Sequence, residues 1–506
     1  MTDGLNTYSW LLTAISLVAF GLEALAIFSV VHAIKHVRSS QATVAWTVAL
    51  LTLPLITLPL YWIFSRNRFE GYREAIRSVG IQHQRSVRAI RDEIRTDSYA
   101  RSTTLQTPLE VLADTLDTPI GETTETRLLI DGPNFFETAF REMGAAKKYI
   151  YASFYILRDD ELGQKFGETL IDMANQGIKI RVVYDEVGSL RITATFLDSL
   201  RTAGIDIRPF DTRQGLTNRF QINFRNHRKL IVIDGHTALV GGLNVGSEYL
   251  GTPTNVMDWR DTGVLLRGTA TRKVQAVFAG DYYWAARKDL PEAIWSPQPK
   301  PENHETDEGK TALDDPIAES YTPTSKTITS QAVVCATGPA DQRPRASMMF
   351  ATLAGLARQR LWICTPYLVP DESTTVALHC AQARGVDIRI LITDRADHWA
   401  VYLAGIHYAN TLSDANIRVH RYSKGFMHQK CVLVDNDLAL IGSTNLDQRS
   451  LHLNFELMLA SGDEKLIREM DCMIQKDLAN STEQHPSDWW LLRIGTAVAR
   501  LFSPIL

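Results

Sequence analysis

The sequence is poor in residues that form covalent or metal cross-links. Its 506 residues include only five cysteines, Cys335, Cys364, Cys380, Cys431 and Cys472. They are scattered, with no Cys-x-x-Cys pair and no Cys/His pattern typical of a zinc site. We therefore expect buried free thiols, no disulfide framework and no structural metal.

An excess of positive charge is missing as well. The chain carries 53 Lys and Arg against 57 Asp and Glu, a net charge of -4. Proteins that bind nucleic acids generally carry a basic excess that meets the phosphates. A general nucleic-acid binder is therefore disfavoured, although a local basic groove is compatible with the sequence. The length suffices for two or three globular domains.

The N-terminus lacks the basic start of a signal peptide, since Met1 to Ser9 contains no Lys or Arg. Two long apolar runs follow, Trp10 to Ile34 and Ala42 to Phe64. Each reaches the roughly 20 residues needed to cross a bilayer. The pattern predicts two transmembrane helices within residues 1–66, with a buried core hairpin as the alternative.

Basic residues around these runs predict the orientation. The turn between them holds Lys35 and Arg38, whereas four arginines follow the second run: Arg66, Arg68, Arg73 and Arg77. Positive residues favour the cytoplasmic side, so we expect a multi-pass protein with its main body in the cytoplasm. Residues 67–107 are predicted to form a juxtamembrane connector that contacts anionic headgroups or solvent.

Beyond the connector the chain repeats itself. An apolar strand ends at Tyr155 in one half and at Tyr367 in the other, each followed by a helical stretch and a second strand. Strands rich in Val and Ile that alternate with helices predict a largely buried α/β sheet. Residues 296–325, rich in Pro, Glu, Asp and Thr, are typical of a linker. We therefore predict two similar α/β domains, 108–295 and 326–506.

The strongest match between the halves is a short motif. His227-x-Lys229-x4-Asp234 recurs as His428-x-Lys430-x4-Asp435, each position exactly repeated 201 residues later. Glycines and an asparagine, Asn244 or Asn445, follow at the same spacing in both halves. Chance yields one such motif in roughly 0.03 chains of average composition. Duplicated cores repeat Val, Leu and Gly, but they do not require a His and a Lys two residues apart.

These residue types indicate chemistry on a phosphate. Residues i and i+2 of a strand point to one face, which places each motif histidine beside its lysine. A histidine acts as nucleophile or general acid/base near neutral pH, and a lysine supplies positive charge for a phosphate oxygen. Asn244 and Asn445 offer further hydrogen bonds. Two facing half-sites would hold one phosphodiester between two histidines.

Each motif also has a later carboxylate at the start of a predicted strand, Asp261 or Glu456. A carboxylate bonded to the far ring nitrogen would fix the histidine tautomer. Asp234 and Asp435 are the other candidates. A structural role fits these two at least equally well, because they stand at strand ends before turns.

The duplicated motif resembles the phospholipase D superfamily. Further segments resemble its bacterial cardiolipin synthase branch: 226–229, 241–244, 259–262, 365–372 and 442–450, together with the two N-terminal membrane helices and the closing 501–506. The resemblance implies two similar phospholipase D-like domains packed as a pseudo-dimer, preceded by two transmembrane helices in the bacterial inner membrane.

The resemblance also implies a metal-free, cofactor-free phosphatidyl transfer. One histidine attacks the phosphorus of phosphatidylglycerol to give a phosphatidyl-histidine, and the other protonates the departing glycerol. The second histidine then deprotonates a hydroxyl of another phosphatidylglycerol, which attacks to give cardiolipin. By analogy His227 is the nucleophile and His428 the acid/base. Asp261 and Glu456 are then the orienting carboxylates, and Asp234 and Asp435 have a more structural role.

Other functions share part of this pattern. A membrane-bound phospholipase D would use the same residues and hydrolyse phospholipid to phosphatidic acid. A nuclease of the superfamily is disfavoured by the apolar runs and the charge balance, and a non-enzymatic scaffold by the two intact motifs. The C-terminal stretch Trp489 to Leu506 predicts an amphipathic helix, lying either on the membrane or against the globular body.

Overall fold

The architecture comes from a computed structural model of the chain. It describes residues 2–37, 40–65, 106–213, 223–251, 259–295 and 330–485, together with positions 69, 71, 72, 74, 495, 496 and 499. The predicted linker 296–325 lies outside the described residues. So do most of the predicted connector 67–107 and most of the predicted C-terminal helix.

Helices alternate with strands throughout the two repeated halves. The helices are α1 (Thr2–His36), α2 (Ser40–Thr52), α3 (Pro54–Phe64), α4 (Pro108–Thr115), α5 (Asp131–Gly144), α6 (Glu161–Asn175), α7 (Ala194–Thr202), α8 (Ala270–Ala286), α9 (Arg345–Leu356), α10 (Glu372–Ala383), α11 (Trp399–Asp414), α12 (Gln448–His452) and α13 (Glu464–Ala479). The strands of the first half are β1 (Ile120–Thr123), β2 (Glu125–Ile130), β3 (Tyr149–Phe154), β4 (Lys179–Asp185), β5 (Asp206–Phe210), β6 (Arg225–Asn226), β7 (Leu230–Ile233), β8 (Thr237–Gly241), β9 (Trp259–Arg260) and β10 (Thr262–Arg267). Those of the second half are β11 (Ser330–Thr337), β12 (Arg360–Cys364), β13 (Leu368–Val369), β14 (Asp387–Thr393), β15 (Arg418–Tyr422), β16 (Phe426–Met427), β17 (Cys431–Val434), β18 (Leu438–Gly442), β19 (Leu446–Asp447), β20 (Asn454–Ser461) and β21 (Ser481–Glu483).

Only the first apolar run forms one helix long enough to cross a membrane. That helix, α1, contains a continuous apolar stretch from Leu12 to His36, and side chains such as Leu17 and Phe20 are exposed. The second run is split into α2 and α3 at Leu53, because Pro54 has no N–H to donate and fits only the first turn of a new helix. The prediction of two transmembrane helices is therefore confirmed in part: an apolar N-terminal helix is present, but a second continuous span is not.

Two mixed sheets form the catalytic body, as the α/β prediction required. The first has strand order β2-β10-β8-β7-β3-β4-β5, and the second β1-β11-β20-β18-β17-β12-β14-β15-β21. In each sheet three strands run parallel, β3-β4-β5 and β12-β14-β15. A β-hairpin, β7-β8 or β17-β18, lies antiparallel beside them. The conserved order of parallel strands and hairpin confirms two similar domains.

The aspartate of each motif closes its hairpin. Asp234 and Asp435 adopt left-handed backbone conformations, with φ of 51° and 48°, which Asp tolerates better than most residues. The Asp234 carboxylate accepts the N–H groups of Lys147, Lys148 and Tyr149 at 2.7, 2.8 and 2.8 Å. Asp435 likewise accepts three N–H groups, from residues 358, 359 and 360, at 2.9, 2.8 and 2.8 Å. Each aspartate thus fixes the hairpin to the start of the central strand.

The two sheets share one apolar core and each covers a further core on its outer face. The shared core includes Tyr151 and Val232 of the first sheet and Trp362 and Leu433 of the second. Helices α5, α6 and α7 cover the outer face of the first sheet, and α9, α10 and α11 that of the second. The two halves are therefore packed together as the pseudo-dimer expected from the sequence.

Some residues assigned to the first domain join the second sheet. Strand β1 pairs antiparallel with β11, and α4 packs into the outer core of the second sheet. The predicted domain limits thus remain a prediction, to which the structure adds this exchange of an N-terminal segment.

All five cysteines are free. Cys335, Cys364 and Cys431 are buried, as expected, whereas Cys380 and Cys472 are exposed. The expectation of buried thiols is wrong for the latter two because they lie on open faces of α10 and α13.

Candidate active site

Two short strand pairs exchanged between the halves position the motif histidines. Strand β6 runs parallel to the start of β20, and β9 runs parallel to β16. The His227 N–H therefore donates to the Phe455 carbonyl at 2.9 Å, and the His428 N–H to the Arg260 carbonyl at 2.8 Å. Each histidine is held by the backbone that precedes the carboxylate of the opposite half.

Each histidine ring contacts that carboxylate through Nδ1. His227 Nδ1 lies 2.9 and 3.0 Å from the two Glu456 oxygens, and His428 Nδ1 lies 2.6 Å from Asp261 Oδ2. A partner at Nδ1 fixes the ring and leaves Nε2 for chemistry. The sequence identified both carboxylates, but it did not reveal that the pairs cross between the halves, because this depends on the strand exchange.

The two carboxylates are held differently. Glu456 accepts hydrogen bonds from Ser443 Oγ at 2.6 Å, Ser450 Oγ at 2.8 Å and Asn454 Nδ2 at 3.3 Å. Against the effect of burial, the neighbouring His227 and other donors hold the pKa of Glu456 below its usual range. The residue paired with His227 is therefore a fully ionised carboxylate.

Asp261 has less support. Its Oδ1 accepts the Thr262 N–H at 2.7 Å, and burial raises its pKa to about 7 while Lys430 acts in the opposite direction. Gly242 stands where the second half carries Ser443, and a Cβ at Gly242 would lie 2.3 Å from Asp261 Oδ1. The shorter carboxylate thus fills the space of the missing side chain, and the two half-sites are not equivalent.

The lysines bring uncompensated positive charge beside the buried histidines. Lys229 Nζ donates to the His227 carbonyl at 2.7 Å, and Lys430 Nζ donates to the His428 carbonyl. Burial lowers the pKa of Lys430 to about 8 and holds that of Lys229 well below its usual range. A cavity that penalises cations in this way favours an anion as its occupant.

The histidines respond to the same environment. Burial lowers the pKa of His227 to about 4, although Glu456 acts in the opposite direction. Burial, together with the charges of Lys430 and Lys229, holds the pKa of His428 well below its usual range. Both rings are therefore neutral in the empty site, and a phosphodiester anion between them would raise both pKa values.

The two asparagines are bound to protein groups. Asn244 Oδ1 accepts the Ile156 N–H at 3.0 Å, and its Nδ2 donates to Tyr249 Oη at 3.2 Å. Tyr249 Oη in turn lies 3.3 Å from His428 Nδ1. Asn445 Nδ2 donates to Asp447 Oδ2 at 3.1 Å. These contacts suit residues that support the site, whereas the sequence predicted direct hydrogen bonds to the substrate.

Aromatic rings enclose the histidines. The Tyr155 ring lies 4.9 Å from the His227 ring and 5.4 Å from Lys229 Nζ. Trp259 and Phe426 lie 4.9 and 6.1 Å from the His428 ring. The tyrosine at the end of the repeated strand was a signal for this role in the sequence, whereas Phe426 had no signal.

A buried aspartate behind the first motif also escaped the sequence analysis. Asp281 on α8 accepts Arg228 Nη1 at 2.6 Å, Asn226 Nδ2 at 3.0 Å and Tyr72 Oη at 2.9 Å. Arg228 also donates to the carbonyl of Glu456 at 3.1 Å. Asp281 thus connects Tyr72, which follows the membrane helices, to the two residues flanking His227.

Asp234 and Asp435 require a correction, because the sequence analysis included them among the catalytic candidates of the motif. Strand β7 separates Lys229 from Asp234, and five residues of extended chain span about 16 Å. Both carboxylates bind backbone N–H groups at the far hairpin ends. They stabilise the fold and do not reach the histidines.

Among the described residues, no three His, Cys, Asp or Glu side chains are grouped to hold a metal ion. The expectation of metal-free chemistry remains a prediction that a chelator can test.

Comparison with known proteins agrees with this geometry. A family model described as "Cardiolipin synthase, PLD-like domain" matches residues 140–277 and 351–478, and a "Phospholipase_D-nuclease N-terminal" model matches residues 24–66. The chain is 38% identical to cardiolipin synthase A of Pseudomonas aeruginosa, over 98% of this chain and 96% of the relative. It is 36% identical to cardiolipin synthase A of Pseudomonas fluorescens, over 96% of this chain and 97% of the relative.

Among solved structures, a phosphatidylserine synthase from Haemophilus influenzae has the same fold. The two structures superpose with a TM-score of 0.58 at 15% sequence identity, over 79% of this chain and all of the other. At that identity the likeness concerns the fold alone.

Proposed function

Because the chain belongs to the bacterial cardiolipin synthases of the phospholipase D superfamily, we propose that it transfers a phosphatidyl group from one phosphatidylglycerol to another. The products are cardiolipin and glycerol. The observation that carries this proposal is the pair of buried histidines, each with Nδ1 on a carboxylate and a lysine beside it. This set suits covalent transfer of a phosphoryl group without a metal.

In the proposed first step, His227 Nε2 attacks the phosphorus of phosphatidylglycerol. The bond from phosphorus to the glycerol oxygen breaks, and His428 gives its proton to that oxygen. The negative charge of the bound phosphodiester raises the pKa of His428, so that this ring is protonated when it acts. Lys229 and Lys430 stabilise the charge on the non-bridging oxygens.

In the second step the roles of His428 reverse. It takes the proton from a hydroxyl of the second phosphatidylglycerol, whose oxygen forms a new bond to phosphorus as the bond to His227 breaks. The step regenerates both neutral and protonated rings, so the exchange is reversible. Glu456 stabilises the positive charge that His227 carries in the covalent intermediate.

We further propose that the protein is a multi-pass protein of the bacterial inner membrane, with its catalytic domains on the cytoplasmic side. The exposed apolar surface of α1 supports insertion, and α2 with α3 would cross as one interrupted helix. The arginines that follow α3 support the orientation. Asn223 Nδ2 donates to the Ile63 carbonyl at 3.1 Å, which places the end of α3 beside the chain that leads into His227.

The test is product analysis with the purified full chain in mixed micelles of phosphatidylglycerol. Cardiolipin and free glycerol are expected, with loss of both in His227→Ala and retention in His236→Ala, a matched control on the exposed hairpin turn. Phosphatidic acid as the main product would support the hydrolase instead. A chelator should leave the activity unchanged, and full activity in His227→Ala would falsify the catalytic assignment.

A further inference from the structure

A cavity of about 440 Å³ opens beside His227, at the carboxyl ends of β4 and β5. Its lining residues are Asp185, Glu186, Val187, Leu190, Phe210, Thr212, Arg213 and Arg225. The steps proposed above use none of them. Their side chains combine buried charge at the inner end with exposed apolar groups at the mouth.

Arg225 is the cation at the inner end. It stands two residues before His227 in extended chain, so the two side chains leave the backbone on the same side. Its Nη1 donates to the Phe224 carbonyl at 2.6 Å, and among the described residues no carboxylate lies within ion-pairing distance of its guanidinium. The remaining N–H groups of a half-buried arginine are thus available to a ligand.

Asp185 is close to Arg225 but does not neutralise it. Its Oδ1 accepts the N–H groups of Val187 and Gly188 at 3.0 and 2.9 Å, and its Oδ2 accepts the Asn226 N–H at 2.9 Å. Burial raises the pKa of Asp185 to about 6. The aspartate caps a loop, and the cavity keeps a positive inner end.

A second guanidinium comes from the other half. Arg449 lies close enough to Arg225 for its charge, after burial and against the effect of Asp185, to lower the pKa of Arg225. Both arginines also act on the hydroxyl of Tyr155, whose ring packs on His227. Two arginines that converge in partly buried space repel each other unless an anion lies between them.

The positive charge is confined to one half of the pseudo-dimer. The position equivalent to Arg225, 201 residues later, is Phe426, whose ring packs 4.8 Å from Trp259. The near-symmetric site therefore has one cationic flank and one aromatic flank. This asymmetry suits a reaction in which two lipids play different parts.

We propose that Arg225 and Arg449 bind the phosphate of the second phosphatidylglycerol, the lipid whose hydroxyl receives the phosphatidyl group. This assignment rests on the proposed cardiolipin synthesis. The attacking hydroxyl and the lipid's own phosphate are joined by a three-carbon glycerol, so a second phosphate must lie one glycerol away from the reacting phosphorus. Two residues of extended chain, from His227 to Arg225, span about 7 Å, which matches such a bridge.

The mouth of the cavity suits entry of a lipid. Leu190 is 75% exposed and Val187 is 42% exposed, which is unusual for apolar side chains outside the membrane helices. Arg449 Nη2 donates to the Asn223 carbonyl at 2.8 Å, and the Asn223 side chain contacts the end of α3. The cavity thus lies where the membrane helices join the catalytic body, within reach of a lipid headgroup.

The test compares two reactions of the full chain in phosphatidylglycerol micelles. Cardiolipin formation needs a second lipid phosphate, whereas exchange of labelled free glycerol into phosphatidylglycerol needs only one lipid. Arg225→Gln should lower cardiolipin formation roughly tenfold to a hundredfold, the effect of losing a charge-assisted contact, and lower glycerol exchange far less. Arg225→Lys should fall between wild type and Arg225→Gln.

Arg213→Gln is the matched control in the same cavity, because Arg213 is half-exposed and already paired with Glu186 at 2.7 Å. It should leave both reactions unchanged. Equal loss of both reactions in Arg225→Gln would mean that Arg225 only supports His227, and unchanged cardiolipin formation would mean that it binds no phosphate; either result overturns the proposal. Absence of cardiolipin from the wild-type reaction would instead overturn the proposed function, and this subsite with it.

Discussion

At the residue scale, the unequal support of the two carboxylates has consequences for catalysis. Glu456 has three side-chain donors besides His227, whereas Asp261 has one backbone donor besides His428. The sequence located both carboxylates as strand-initial acids near the motifs. It could not assign the partners, because each pair joins residues of different halves.

Glu456→Gln keeps the size of the side chain but removes the charge that stabilises a protonated or phosphatidylated His227. By comparison with other histidine–carboxylate pairs, kcat/KM should fall by roughly 10² to 10⁴. The measurement is the rate of glycerol exchange by purified variants. Glu464→Gln, on the exposed face of α13, is the control. A loss below threefold in Glu456→Gln would show that the pair does not contribute to catalysis.

The low pKa values of the empty site predict proton uptake on anion binding. At pH 6 a His227 with a pKa of about 4 is neutral, and an anion between the rings raises that pKa, so binding takes up protons and strengthens as the pH falls from 7 to 5. Calorimetry with tungstate, a phosphate analogue, in buffers of different ionisation enthalpy measures the uptake. Uptake should shrink in His227→Gln. Binding without proton uptake would contradict the account.

At the element scale, the hairpins and parallel strands followed from the repeated apolar pattern. The interruption of the second membrane run did not, although Pro54 and Pro59 stand within it. Apolar composition predicts burial in lipid, whereas helix continuity depends on backbone N–H groups, which hydropathy does not measure. The exchanged strands β6 and β9 have only two residues each, too few to give a pattern.

Asp234 tests whether the motif aspartates serve the hairpin. Asp234→Asn removes the charge from a carboxylate that accepts three N–H groups, so the free energy of unfolding should fall by about 1 to 3 kcal/mol. The folded fraction should keep its kcat, because the side chain does not reach the histidines. Thermal unfolding and glycerol exchange on the same sample measure both. Full stability combined with a thousandfold lower kcat would restore the catalytic assignment.

At the scale of the whole molecule, duplication produced a nearly symmetric site that serves an asymmetric reaction. The repeat spacing was enough to predict two α/β domains and two facing histidines. The differences that give each half its own task, Glu456 against Asp261, Ser443 against Gly242 and Arg225 against Phe426, become meaningful only when the halves are placed face to face. They are single substitutions within a matching pattern, and the sequence alone gives no reason to single them out.

The most direct test of the central claim is detection of the covalent intermediate. Wild-type protein is mixed with phosphatidylglycerol, quenched with base within the first turnover, digested and examined by mass spectrometry. The account predicts a phosphatidyl adduct on His227, absent from His227→Ala. An adduct on His428 alone, or no adduct on either histidine while cardiolipin accumulates, would contradict it.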